Sequence, residues 1–92
     1  MDPNKIDLET LRISRHAWDK MGERGVTAQQ VADGLRAPDI IEPDADRSRR
    51  RYVKGELVFV VGRDWSDSEV AVLVTVLWRK REQWTSGQMR NR

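Results

Sequence analysis

Nine consecutive residues, Val70-Ala71-Val72-Leu73-Val74-Thr75-Val76-Leu77-Trp78, carry one polar side chain among them. β-Branched residues at this density favour a strand. A strand that is apolar on both faces must be covered on both, so the run predicts a central strand. That requirement points to a layered fold with a sheet in its middle, and the rest of the chain must supply the cover.

The first third supplies helices. Ser14 is placed to cap a helix over about residues 15–24, and Gly25 follows where a left-handed residue stops one. Ala17, Met21 and Arg24 share one sector of that helix, so its buried stripe includes a cation. Thr27 and Gln30 have capping-box spacing, and Val26 can staple against Val31. Ala28, Val31, Ala32 and Leu35 then form an apolar stripe that Pro38 cuts off. Before the helices, Leu8 to Ile13 reads as a short edge strand. After them the periodicity changes. Asp39 to Glu42 reads as a strand between two prolines, and residues 44–48 as a turn. Arg50 to Lys54 and Leu57 to Val61 read as a hairpin around Gly55-Glu56, followed by a polar loop over 63–68. The expected class is α+β, with two N-terminal helices packed on one face of a three- to four-stranded antiparallel sheet. One domain over residues 8–80 is expected, between a flexible start (1–7) and a polar, basic tail (81–92).

Composition narrows the chemistry. Ninety-two residues, 38% apolar and 35% charged, suffice for one small core whose margin of stability would gain from a partner. The absence of Cys excludes a disulfide framework, a thiolate zinc site and a thiol nucleophile. No apolar run nears the ~20 residues of a membrane helix, and the polar opening is no signal peptide. A soluble, cytoplasmic protein without membrane contact is therefore expected. There is no Gly-rich phosphate loop, no His-Glu-x-x-His and no Gly-x-Ser-x-Gly. Asp44 and Asp46 resemble half of a cation loop, but no spaced Glu completes it, so neither metal nor cofactor is expected. Charge is segregated: residues 1–46 hold 6 Lys/Arg and 10 Asp/Glu, whereas residues 47–92 hold 11 and 5. The second half could dock a polyanion, or its cations could simply solvate one face.

His16 is the only histidine, and the macrodipole of a first helical turn favours its neutral, proton-accepting form. An exposed or capping histidine is the plainer reading. Arg24, on the buried stripe, needs a partner: a carboxylate such as Glu23 or Glu42, a phosphate, or a route to solvent at the helix end. Arg49-Arg50-Arg51-Tyr52-x-Lys54 is the densest basic segment. Alternation would put Arg50, Tyr52 and Lys54 on one face and Arg49, Arg51 and Val53 on the other. Cations around an aromatic suit single-stranded nucleic acid, while an edge strand blunted by charge is the structural alternative. Thr75, sharing a face with Ala71, Leu73 and Leu77 by alternation, could bond a phosphate or be plain strand propensity. Trp78, Arg79 and Lys80 close the strand as further candidates for a nucleic-acid backbone.

Ser14-Arg15-His16-Ala17, Met21-Gly22-Glu23-Arg24-Gly25-Val26, Leu35-Arg36-Ala37-Pro38, Arg51-Tyr52-Val53 and Val74 to Arg79 follow one pattern in order. It resembles the small "His-Ala … Met-x-x-Arg-Gly-(Ile/Val)" domains of bacteria and phages, grouped with the barnase/RelE-like ribonuclease superfamily. The resemblance covers about residues 10–80. It implies N-terminal helices on a four-stranded antiparallel sheet, and metal-independent RNA cleavage by 2′-hydroxyl attack on the adjacent phosphate. It makes His16 the base or acid, Arg24 and Arg51 phosphate clamps, and Thr75 a phosphate or substrate hydrogen-bonder. Tyr52 would stack a base or share in proton transfer. Its implied partners are RNA, as on the ribosome, and a cognate antitoxin within a toxin–antitoxin or phage-conflict system.

Three functions are therefore set against one another. The first is an endoribonuclease toxin. The second is a non-catalytic nucleic-acid-binding module. The third is a protein-interaction factor using the acidic N-terminal half or the Trp-bearing tail. Oligomeric state is left open by the residues.

Overall fold

The computed structural model describes residues 5–63 and 70–79. The fold is α+β, with β1 (Arg12–Ile13), α1 (Arg15–Arg24), α2 (Ala28–Arg36), β2 (Ile40–Pro43), β3 (Arg49–Lys54), β4 (Leu57–Gly62) and β5 (Val72–Trp78) in chain order.

Both helices form where local chemistry dictates. The Ser14 hydroxyl accepts the Ala17 N–H at 3.0 Å, and Gly25 closes α1 at φ 67°, a backbone angle that penalises side chains. At α2 the capping box closes in both directions: Thr27 Oγ1 accepts the Gln30 N–H and Gln30 Oε1 accepts the Thr27 N–H. Ala28, assigned to the apolar stripe, is exposed; Val31, Gly34 and Leu35 make the buried face instead. The β3–β4 turn uses Gly55 at φ 60°, with its N–H donating to Asp39 Oδ2 at 2.7 Å.

The sheet has five strands in the order β1-β5-β4-β3-β2, and β1 runs parallel to β5 while the other pairs are antiparallel. The expectation of three or four antiparallel strands is thus corrected to a five-stranded mixed sheet. The reason is that α1 intervenes between β1 and the rest, so the short first strand enters the sheet beside β5 in the same direction. As anticipated, β5 is flanked on both edges, by β1 and β4.

The register sorts side chains onto two faces. The helix-covered face carries Tyr52, Leu57, Phe59, Val61, Leu73 and Val76, packed with Ala17, Met21, Val31 and Leu35. Ile6 joins this core at 5% exposure. The helix-free face carries a second apolar cluster of Val53, Val58 and Val60, with Val74 and Leu77 against it. The loop expected at 63–68 lies largely outside the described residues, as do Lys80 and the tail beyond it. Among the described residues, no helix is long and apolar enough to cross a membrane.

Candidate functional site

β1 accompanies β5 for only two residues, pairing Arg12 with Val72 and Ile13 with Leu73. Past that point α1 takes over the outer edge of β5. Ser14 Oγ donates to the Val74 carbonyl at 3.1 Å, and the Arg24 guanidinium donates to the Val76 carbonyl. Trp78 Nε1 returns a bond to the Arg24 carbonyl at 3.2 Å. Both ends of the helix are therefore tied to strand carbonyls that an open edge would leave to water.

Thr75 lies between those two anchored carbonyls. Its orientation depends on a bulge: Val60 pairs with Thr75 but Val61 pairs with Leu73, so Val74 is an extra residue on β5. One added residue shifts alternation by one step. Ala71 and Leu73 therefore face the helices, whereas Thr75 and Leu77 face the other way. Plain alternation put all four on one face, and the bulge overturns that.

The same register aligns Glu42, Arg51, Val60 and Thr75 in one row across β2, β3, β4 and β5 on the helix-free face. With strands ~4.8 Å apart, the Arg51 and Thr75 backbones stand about 10 Å from each other, a gap one phosphate and an arginine side chain can fill. Arg51, Thr75 and Glu42 are each half-buried. Arg79 reaches Glu42 from the end of β5, Nη2 to Oε2, at 3.4 Å. The neighbouring row holds Arg49, Gly62, Val72 and Arg12, with two guanidinium side chains at its ends. The row on the other side holds Ile40, Val53, Val58 and Leu77 and is wholly apolar. The face thus grades from cationic to hydrophobic.

His16 is exposed in the first turn of α1. His16, Lys20 and Arg24 recur every four residues and so share one side of the helix, the side that ends at the β5 edge through Arg24. The imidazole itself is exposed, and of this helix side it is Arg24 that reaches β5.

Other expected site residues have different neighbours. Arg24 is half-buried as anticipated, but its partner is the Val76 carbonyl: Glu23 pairs with Lys20 at 3.1 Å and Glu42 with Arg79. Arg50, Tyr52 and Lys54 do alternate onto one face, and it is the helix-covered one. Tyr52 is 0% exposed within the core, so no face of its ring is open to a base. Lys54 Nζ donates to the Ala37 carbonyl at 2.9 Å and neighbours Asp39, tying the β3–β4 turn to the end of α2. Arg49 lies 3.5 Å from Asp46, across the turn before β3. Trp78 packs its ring against the core. Lys80 is outside the described residues.

The residue whose place sequence reasoning missed is Glu42. Its visible signal was a carboxylate within a short strand of otherwise apolar residues. Alternation could have set it opposite Ile41, but only the β2–β3 register sets it beside Arg51.

A family model described as a domain of unknown function, DUF4258, matches residues 13–78. The chain belongs to the DUF4258 family. No curated protein and no solved structure matches it. The DUF4258 span begins at the last residue of β1 and ends at the last of β5, enclosing His16, Arg24, Glu42, Arg51 and Thr75. Arg12 and Arg79 fall one residue outside it on either side. Nothing in that match ties DUF4258 to the barnase/RelE-like ribonucleases. Among the described residues, no group of three His, Cys, Asp or Glu side chains is placed to hold a metal ion.

Proposed function

We propose that this DUF4258 domain is a metal-independent endoribonuclease toxin of barnase/RelE-like kind, acting within a toxin–antitoxin or phage-conflict system. The observation that carries the reading is the bulge at Val74. It turns Thr75 into the row of Arg51 and Glu42, on the strand whose edge Arg24 of α1 reaches.

The reaction needs three things: a base for the 2′-hydroxyl proton, cations for the charge gathering on phosphorus, and an acid for the departing 5′-oxygen. The 2′-oxygen bonds to phosphorus as the bond to the 5′-oxygen breaks, leaving a 2′,3′-cyclic phosphate and a 5′-hydroxyl. Arg51 serves as the phosphate clamp, because guanidinium donors match phosphate oxygens in a fixed fork. Thr75 donates its hydroxyl to the same group. His16 moves the proton at one oxygen, and Glu42, which neighbours Arg51 in the row, is assigned the other. Arg24 contributes charge while holding α1 to β5. Tyr52 has no part in this scheme, since it belongs to the core.

A non-catalytic nucleic-acid-binding module is the second reading, favoured by the Arg12–Val72–Gly62–Arg49 row, where cations flank a flat floor. One set of proteins separates the two. The parent, His16→Ala, Arg51→Ala and Glu42→Gln are expressed for growth arrest, then purified and incubated with RNA. An enzyme predicts cleavage that drops by about 10²–10⁴-fold on loss of a proton-transfer group. If His16→Ala and Arg51→Ala arrest growth and cut RNA as the parent does, the assigned site is wrong. Salt-sensitive retention of RNA by the parent, without cleavage products, selects the binding module.

A further inference from the structure

Gly62, the last residue of β4, leaves the helix-free face bare at one point. Unlike Gly25 and Gly55, it has no positive φ that would call for glycine. Crowding does not call for it either. A Cβ built there meets Val74 Cγ2 at 3.4 Å, the Ser48 carbonyl at 3.6 Å and Arg49 Cγ at 3.7 Å, which are ordinary contacts. A strand glycine that neither reason explains commonly marks a site where a ligand comes close to the backbone. Here the missing side chain leaves a trough whose floor continues over Val72 on β5.

Cations stand at both ends of that trough. Val61 and Leu73 pack under the helices, so Gly62 and Val72 face the other way, with Arg49 beyond Gly62 and Arg12 beyond Val72. Ile13 packs with the helix-side core, which puts the exposed Arg12 on the helix-free face. Three strand spacings, about 14 Å, separate the two arginine backbones, so both side chains can lean over the trough from opposite ends. Asp46 lies 3.5 Å from Arg49 Nε and also accepts from the Ser48 hydroxyl and N–H. It thereby orients the arginine stem, while the terminal guanidinium nitrogens carry the remaining donors.

The spacing to the next row points to the ligand. Arg49 and Arg51 project from the same face of β3 two residues apart, about 6.7 Å. Neighbouring phosphates of an extended RNA strand are separated by a similar distance, and guanidinium forks match phosphate oxygens. We infer that Arg12, Arg49 and the Gly62 trough form a second phosphate subsite. It holds the phosphate next to the one on Arg51, so the ligand is an RNA strand of at least two phosphates and not a mononucleotide. The inference rests on the reading of Arg51 as a phosphate clamp.

A short fluorescent 2′-O-methyl RNA, whose attacking hydroxyl is blocked, reports binding alone by anisotropy. Arg12→Ala and Arg49→Ala should each weaken binding about tenfold and lower the slope of log K against log salt by about one. Gly62→Val changes no charge, yet it fills the trough and should do the same. Combined with Arg49→Ala it should cost little more than either change alone, since both empty one subsite. Circular dichroism and melting temperature establish that each variant folds. If valine disturbs the sheet, Gly62→Ala repeats the test in a smaller step, because its methyl meets only ordinary contacts. A folded trough variant with the parent's affinity and slope overturns the proposal, as does a parent that leaves the RNA unbound. Displacement of the RNA by inorganic phosphate or a nucleoside monophosphate, at the concentration an unlabelled RNA needs, also overturns it. Cleavage is a separate outcome. Binding that responds to these variants in a protein that cuts no RNA keeps the subsite and removes the nuclease. Cleavage lost in His16→Ala, with binding unmoved by the trough variants, does the reverse.

Discussion

Gly34 offers a sharp test of how α2 is seated. In an exposed helix, Gly→Ala stabilises by up to ~1 kcal/mol because alanine loses less backbone entropy. At Gly34 the opposite is expected. A Cβ added there falls on the ring edge of Phe59, nearest to Cε2, 2.7 Å from Cδ2 and 3.0 Å from Cζ. Ordinary carbon contacts are about 3.5–4.0 Å, so ring and helix must separate by roughly 1.5 Å to clear Cε2. Phe59 is 0% exposed, and its strand neighbours Tyr52 and Val76 are equally buried, so the ring has nowhere to move. Overpacking of this kind costs about 1–3 kcal/mol, and the upper part of that range applies where the obstructing group is rigid. After subtracting the helical gain, Gly34→Ala should destabilise by about 2 kcal/mol, a fall of roughly 10 °C in melting temperature for a domain this size. Gly22→Ala in α1 is the internal control. Nothing lies within 4 Å of the methyl group that this substitution adds, so it should stabilise by up to ~1 kcal/mol. Chemical denaturation of the parent, Gly34→Ala, Phe59→Leu and Gly34→Ala/Phe59→Leu closes a double-mutant cycle, and the smaller side chain should remove most of the penalty. A neutral or stabilising Gly34→Ala, or a cycle without coupling, refutes the close packing of α2 on β4.

Ser14→Ala should cost about 1–2 kcal/mol in urea unfolding, since it removes the α1 cap and the bond to the Val74 carbonyl together. Ser14→Thr should retain most of that stability. The Asp46 carboxyl is held below the usual carboxylate range by the Ser48 hydroxyl first, then by the Ser48 N–H, with Arg49 adding a weaker pull. Its folded pKa is thus the lower of the two states, so its contribution is complete above the unfolded value near 3.9 and is lost as pH falls through the folded one. In Ser48→Ala the Asp46 carboxyl should titrate at higher pH by carbon NMR, and an unmoved midpoint would contradict the hydroxyl's role. Arg49→Ala and Arg51→Ala should each reduce the slope of log K for RNA against log salt by about one, if each meets one phosphate. An unchanged slope would remove that residue from the interface.

Much of the fold was legible because its signals are local. A cap acts over three or four residues, so Ser14, Gly25 and the Thr27–Gln30 pair mark the two helices without any tertiary context. Gly55 marks the hairpin in the same way. The strand count was less legible, because β1 is two residues long and pairs with a strand sixty positions away. Within the site, His16 could be placed on a first helical turn and Arg24 on a half-buried stripe, as found. The partners could not be read. Arg24 bonds a strand carbonyl, Glu42 meets Arg79, and Tyr52 lies under the helices instead of on an open face.

What the amino-acid order determined alone was the kind of each element, since helical and strand periods are written in nearest-neighbour chemistry. It also determined the exclusions that follow from lacking cysteine. What required the assembled sheet was the side of it on which each residue stands. Alternation along a strand holds only until one residue is inserted, and whether Val74 bulges is decided by how β4 and β5 match across the ladder. That one displaced residue turns Thr75 from the packed interior to the row of Arg51 and Glu42, a consequence of pairing between distant segments that no local pattern encodes.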